Sequence, residues 1–180
     1  RVGDSLILGK PLGVGGLSAA LKQQKLDEAG YEAMIRYTTK LNTPGVALAD
    51  MPGVHALTDV TGFGLTGHLL EMCRGAKVQG QLNWKDIPVI PQAIDFSKQN
   101  VFTGASTRNW AGFGAEVQLD PGIEEWQKNL LTDPQTSGGL LLACDPESEQ
   151  AVLDLFKQHG FEDARKIGQV VAGSGVVVRN

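Results

Sequence analysis

The sequence of 180 residues has two cysteines, few aromatic side chains and no run of positive charge. Cys73 and Cys144 lie far apart in the chain, each among apolar neighbours. That spacing excludes a disulfide framework and offers no CxxC or Cys/His set for structural zinc. It reads as two buried free thiols in a reducing compartment, which places the protein in the cytoplasm. Sixteen Lys and Arg stand against twenty Asp and Glu, for a net charge of −4, and the basic residues are not clustered. That balance argues against a broad nucleic-acid footprint, although backbone N–H groups can still build a local anion site. No apolar stretch reaches the ~18 residues of a membrane span, and no signal-peptide pattern opens the chain. An initiator Met is also missing. The chain starts Arg1-Val2-Gly3-Asp4 and runs directly into the strand-like "SLILG", as expected of a piece of a longer protein. No Ser-His-Asp spacing appears, and neither cysteine sits beside a histidine in a glycine turn, where a nucleophile would be activated.

What the sequence does contain is a regular alternation of short strands and helices, with no repeat and no linker, so residues 1–180 read as a single domain. Ser5 to Gly9 is a short strand ending in the glycine-rich loop Lys10 to Gly16. Helical character follows over Ser18–Leu26 and Glu28–Leu41, where Tyr31, Met34, Ile35, Thr38 and Leu41 outline one apolar face. Val54–Val60 reads as a strand, Gly64–Arg74 as a helix, Gln79–Trp84 as an alternating strand and Pro88–Ser97 as a short helix. Asn100–Ala115 reads as a loop rich in Gly, Ser, Thr and Asn. Glu116–Leu119 is a strand, Pro121–Leu131 a helix with proline in its first turn, Leu140–Cys144 a buried strand and Pro146–His159 an amphipathic helix. Lys166–Val171 and Gly175–Val178 look like a closing hairpin. The class is α/β or α+β with a mixed sheet.

The densest signal is Ala56 to His68, "ALTDVTGFGLTGH". Asp59 ends a strand and precedes a glycine-studded helix start, the geometry in which a helix N-terminus presents free N–H groups. Two readings stay open. Asp59 or Thr61 caps the helix, a contribution of ~1 kcal/mol; or Asp59 coordinates a hard cation such as Mg²⁺, which prefers oxygen ligands and bridges to phosphates. Neither GxGxxG nor a Walker A loop is present. His68 and Glu71 are three residues apart on one helix face, a spacing that suits a hydrogen bond. His55 draws no attention. Thr136-Ser137-Gly138-Gly139 suits close backbone packing or a phosphate, and Lys10 stands where a strand ends, within reach of an anion; Asp4, Lys10 and Asp133 read as structural.

Three stretches in order, "GDSLILGKPLGVG" at 3–15, "ALTDVTGFGLTGHLLEM" at 56–72 and "LLTDPQTSGGLLLA" at 130–143, resemble the C-terminal half of the selenophosphate synthetase family, within the aminoimidazole ribonucleotide synthetase superfamily. Gly9, Val14 and Thr66 depart from the family's usual residues. The resemblance implies a three-layer α/β/α fold with partial ferredoxin-like topology. It implies an enzyme that turns ATP, selenide and water into selenophosphate, AMP and phosphate, with Mg²⁺ as cofactor. The nucleophile and essential Lys would belong to an N-terminal domain that precedes this chain, so no catalytic residue is expected here. That domain is the implied partner, and the full-length enzyme the implied homodimer; nucleic acid and membrane are not. Asp59 matches the family's magnesium ligand, and Thr61, Gly62 and Gly64 share its nucleotide-binding motif. Alternatives are another ATP-using member of the superfamily or a non-catalytic nucleotide- or anion-binding module.

Overall fold

Every residue of Leu140–Cys144 is buried, so this strand needs cover on both faces and cannot lie on an open sheet surface. The computed structural model describes residues 1–180 and supplies that cover. Its elements are β1 (Ser5–Leu8), α1 (Val14–Lys22), α2 (Glu28–Thr39), α3 (Gly45–Ala49), β2 (Val54–Asp59), α4 (Gly64–Ala76) and β3 (Gln79–Asn83). They continue with α5 (Pro91–Lys98), α6 (Gly104–Phe113), β4 (Val117–Leu119), α7 (Glu125–Leu131), β5 (Leu140–Cys144), α8 (Glu149–Gln158), β6 (Arg165–Val171) and β7 (Gly175–Arg179).

One mixed sheet of seven strands runs in the order β2-β5-β1-β6-β3-β7-β4. The pairs from β2 through β6 to β3 are antiparallel, while β3 with β7 and β7 with β4 are parallel. β5 and β6 flank β1 and are joined through α8, a split β-α-β unit of ferredoxin-like type. Strand alternation sorts the core into layers. Leu6, Leu8, Leu141 and Ala143 face Leu65, Leu69, Leu70 and Cys73 of α4. Ile7, Leu140, Leu142 and Cys144 face the other way, onto Leu48 of α3 and Val152 and Phe156 of α8. α1, α2 and α5 pack through Val14, Leu17, Met34, Tyr37 and Ala93. Both cysteines are free and buried, and burial pushes their thiols up, Cys144 to about 11. No helix is long and apolar enough to cross a membrane.

The structure corrects four readings. β6 and β7 do not form a hairpin, because β3 lies between them and pairs with both. The three residues that join them wrap the start of β3, where Gln79 Nε2 donates to the Ser174 carbonyl, and Gly173 and Gly175 take positive φ to make the turn. Residues 104–113 form a helix inside the expected loop. Thr103 caps it by accepting from Ser106 N, and Trp110 and Phe113, one turn apart, anchor it on the main core. α7 begins at Glu125, behind a capping box with Gln127, and not at Pro121. The buried stripe of α2 runs through Gly30, Met34 and Tyr37, leaving Tyr31 and Ile35 47% and 41% exposed.

The glycine-rich start of α1 is closed from within. Gly13 N and Val14 N donate to Gln135 Oε1 at 3.2 and 3.3 Å, and Gly15 N and Gly16 N donate to Asp133 Oδ2 at 2.9 and 3.2 Å. Gly15 has no room for a side chain, since a Cβ there would press on Asp133 and Pro134. Lys10 also turns inward. Its ammonium donates to the carbonyls of Tyr37, Lys40 and Ser137 at 3.2, 2.6 and 2.6 Å, and burial, then the Lys40 charge, bring it down to about 8. Lys10 is therefore an internal brace, not an anion contact at the surface.

Burial raises the Asp133 carboxyl to about 7, against opposing hydrogen bonds from Gly16, Gln135 and Gly15. The unfolded chain releases that proton near the ordinary 3.8, so the folded state binds more protons between about pH 4 and 7. The stabilisation tied to this carboxyl is full below that window and is lost as the pH rises through it. Urea unfolding across pH 4 to 7.5 is expected to show wild type losing stability with rising pH relative to Asp133→Asn, and parallel profiles would contradict it.

Candidate functional site

The turn that follows β2 is assembled from two of the three sequence stretches, with the third locked behind it. Val60, fully buried, continues the β2 ladder by donating to the Gly139 carbonyl at 2.9 Å. Asp59, paired with Leu140, shares that residue's side of the sheet, toward α3 and α8, whereas Val60 lies in the core under α4 and the Thr61 hydroxyl reaches His68 of that helix. The Thr61 carbonyl accepts from Gly64 N at 3.1 Å and Gln135 N at 2.9 Å. Asn109 Nδ2, on α6, bridges the carbonyls of Gly62 and Thr132 at 2.9 and 3.0 Å. Thr66 buries its hydroxyl and donates to the Leu131 carbonyl at 3.1 Å, which gives this departure from the family pattern a local structural use.

Glycines set how closely these layers approach. Gly64 has φ +70°, and a Cβ there would stand 2.7 Å from the Thr132 carbonyl carbon. A Cβ at Gly138 would overlap the Val60 carbonyl oxygen, and one at Gly139 would overlap Lys10 N. The Thr136–Gly139 stretch therefore serves close packing, the first of the two uses read from its composition. Gly62 differs, since nothing lies within 4 Å of where its Cβ would be.

Neither Asp59 nor Thr61 caps α4. The N-cap position belongs to Phe63, and no side chain accepts from the helix's first turn. Asp59 is exposed, and its carboxylate makes no hydrogen bond or ion pair. An unpartnered carboxylate beside an uncapped helix N-terminus offers a hard oxygen ligand next to a region of positive potential. Those donors suit a cation that itself carries phosphate oxygens, and one or two protein carboxylates suffice for Mg²⁺ in such sites. Gly64 shapes the turn and Gly62 leaves its outer side open. His68, buried on α4, accepts or donates at Nε2 to Thr61 Oγ1 at 3.0 Å and meets Glu71 Oε2 through Nδ1 at 2.9 Å. The His68–Glu71 pair expected from spacing is present; the link to Thr61 is a product of the turn.

One cluster escaped the sequence reading. Asp4, His55 and Asp145 bring ligand atoms within 4.8 Å of one another. Arg1 Nη1 lies 2.7 Å from His55 Nε2, so a cation already faces the group. It sits at the opposite end of β2 from Asp59, about 13 Å away along the strand. The signal was invisible because Asp4 and Asp145 meet His55 only across β1, β5 and β2.

Two glycine substitutions separate packing from access. Gly138→Ala is expected to cost on the order of 3 kcal/mol, whereas Gly62→Ala stays within about 0.5 kcal/mol, both read by urea unfolding. Equal stabilities for the two variants would contradict this assignment.

Residues 1–179 match the family model described as AIR synthase related protein, C-terminal domain. A curated relative from Dechloromonas aromatica named selenide, water dikinase is 55% identical over 173 residues, covering 96% of this chain and 50% of the relative. A protein of the same name from Rhizobium meliloti is 48% identical over 177 residues, covering 98% of this chain and 51% of its own length. The chain thus spans about half the length of the curated relatives it matches. Among solved structures, E. coli HypE aligns with a TM-score of 0.72 at 23% identity, over 99% of this chain and 47% of that one. A thiamine-monophosphate kinase from Stenotrophomonas maltophilia aligns at 0.67 and 19% identity, over 99% and 50% of the two chains. At such identities the likeness concerns the fold. The match over residues 1–179, on a seven-stranded mixed sheet covered by helices, means that this chain belongs to the AIR synthase related protein family, as its C-terminal domain.

Proposed function

We propose that this chain is the C-terminal domain of a selenide, water dikinase. That enzyme converts ATP, selenide and water into selenophosphate, AMP and phosphate. The free carboxylate of Asp59 at the uncapped start of α4 carries the reading, because it lies in one of the three stretches that resemble the selenophosphate synthetase family, and relatives named selenide, water dikinase are 48% and 55% identical to the chain. In this reading Asp59 is a ligand to Mg²⁺, Thr61 and Gly64 shape the nucleotide-binding turn, and Gly62 lets the phosphates approach the backbone. A HypE that aligns over 96% of this chain with a TM-score of 0.65 was solved in complex with ATP, which supports nucleotide use on this fold. The magnesium ion would offset phosphate charge and align the transferring groups.

The turn forms one wall only. Asp59 is a single carboxylate, and neither thiol of the chain is accessible, so the nucleophile, the remaining metal ligands and selenide contacts are assigned to an N-terminal domain. The full-length enzyme is proposed to be a cytoplasmic homodimer, in keeping with its free thiols.

In the full-length enzyme, Asp59→Asn is expected to lower selenide-dependent AMP release by at least about a hundredfold, the scale of several kcal/mol of lost charge stabilisation. Because the side chain is exposed and unpartnered, the unfolding midpoint should move by no more than about 0.5 kcal/mol. Near-normal turnover in this variant would sink the proposal.

A further inference from the structure

The peptide that joins Gly62 to Phe63 is the exposed part of the turn, and one hydrogen bond holds it. Gly62 has no side chain, and nothing lies within 4 Å of where its Cβ would be. Its N–H and that of Phe63 meet no acceptor in the protein, whereas its carbonyl accepts from Asn109 Nδ2 at 2.9 Å. The preceding Thr61 carbonyl differs, since it accepts from Gly64 N and Gln135 N and is fixed by backbone alone. The plane of the Gly62–Phe63 peptide is thus tied down by one side chain, 47 residues further along the chain.

Asn109 is itself firmly held. Its Nδ2 also donates to the Thr132 carbonyl at 3.0 Å, and an amide that faces two carbonyls presents its NH₂ group, because those oxygens only accept. Thr103 caps the start of α6, Trp110 and Phe113 dock on the main core, and the Lys128 ammonium lies 5.0 Å from the Trp110 ring centre. Thr132 closes α7, and Gly64 packs against it too closely for a side chain. Asn109 therefore clamps the turn to two helices at once. Every peptide bond is trans, so N–H and C=O of one peptide point in opposite directions. With the Gly62 oxygen drawn toward α6, the Phe63 N–H is directed away from that helix. An outward N–H attracts a phosphate oxygen, whereas an outward carbonyl oxygen repels it.

We infer that Asn109 is a positioning residue for the turn: it holds the Gly62 carbonyl toward α6 and so keeps the Phe63 N–H turned outward, as a fixed donor to a phosphate oxygen of the nucleotide. This rests on the reading of the turn as one wall of the nucleotide site. It adds to that wall a residue from outside the three stretches that resemble the family. It also gives a use to the stretch 100–115, which stands out in the sequence for its Gly, Ser, Thr and Asn content.

Two measurements on the full-length protein test it. In the first, ¹³C-carbonyl glycine and ¹⁵N-phenylalanine labelling reduces the NMR spectrum to Gly-Phe pairs, Gly62-Phe63 among them. The Phe63 amide proton is expected to move downfield when Mg²⁺ and ATP are added, as a newly hydrogen-bonded N–H does. The second is the concentration of a fluorescent ATP analogue that half-saturates Asn109→Ala and Asn109→Asp at fixed Mg²⁺, with urea midpoints recorded alongside. Asp keeps the shape of Asn but offers the two carbonyls only acceptors. It is expected to raise half-saturation about 100-fold, against about 10-fold for Ala. A packing role gives the reverse order, since Asp fills the space and Ala leaves it empty. A Phe63 amide that stays in place on nucleotide binding would overturn the inference without any variant. So would unchanged binding in both Asn109 variants, or a larger loss in Ala than in Asp, while Asp59→Asn abolishes binding; the turn then keeps its assigned ligand and Asn109 loses its role. If Asp59→Asn itself binds Mg²⁺ and nucleotide normally, the underlying reading fails and the inference with it.

Discussion

The structure hangs on one buried polar knot. Asp133 and Gln135, just past the end of α7, accept the first four N–H groups of the α1 start, and the backbone N–H of Gln135 reaches the Thr61 carbonyl. A helix N-terminus left bare inside a protein would strand several donors at a cost of about 1–3 kcal/mol each. Filling it with side chains from a loop distant in sequence removes that penalty and ties the loop to both helix starts. The glycines then follow. Gly15, Gly64, Gly138 and Gly139 stand where backbone meets backbone or the Asp133 carboxyl too closely for a side chain. Lys10 completes the knot by gathering three carbonyls that would otherwise lie unpaired beneath the surface.

This arrangement explains a contrast between two similar helix starts. α1 and α4 both follow glycine-bearing turns, and both would attract anions by their N–H groups and dipole. At α1 the positive end is consumed internally, so it has nothing to offer a ligand. At α4 no side chain caps the first turn, and Asp59 remains outside with no partner. The buried acid Asp133 is thus consumed in structure, whereas Asp59 stays exposed and unpartnered. Burial accounts for the difference, since desolvation holds the Asp133 carboxyl protonated up to about 7, where it is of little use to a cation.

Much of the fold was legible because its signals are local. β5 is an unbroken apolar run, α8 an amphipathic helix, and α4 carries Leu65, Leu69, Met72 and Cys73 at helical spacing. The readings that failed depended on contacts between distant segments. Gln79–Asn83 and the two closing strands were each recognisable, but only the sheet inserts β3 between β6 and β7. Residues 104–113 look like a loop by composition because Gly, Ser, Thr and Asn weaken helix propensity; Trp110 and Phe113 overcome that by docking on the α4 side of the core. The apolar stripe of α2 was displaced by one residue because α1 and α5 meet Met34 and Tyr37, and Tyr31 and Ile35 face outward.

By itself, the sequence determined the class of fold, the two buried thiols, and the turn around Asp59 as the place where an acid, small residues and a helix start coincide. Composition and short-range periodicity carry those features, since they depend on neighbours within a few residues. Only the tertiary structure decided that Asp59 is unpartnered while Asp133 is consumed, that Lys10 points inward, and that His68 reaches Thr61 as well as Glu71. The outcomes at Lys10 and Asp133 turn on donors and acceptors that meet across 27 to 127 residues of chain. Hydrogen-bond satisfaction in a closed interior is a property of the assembled layers, not of any one segment.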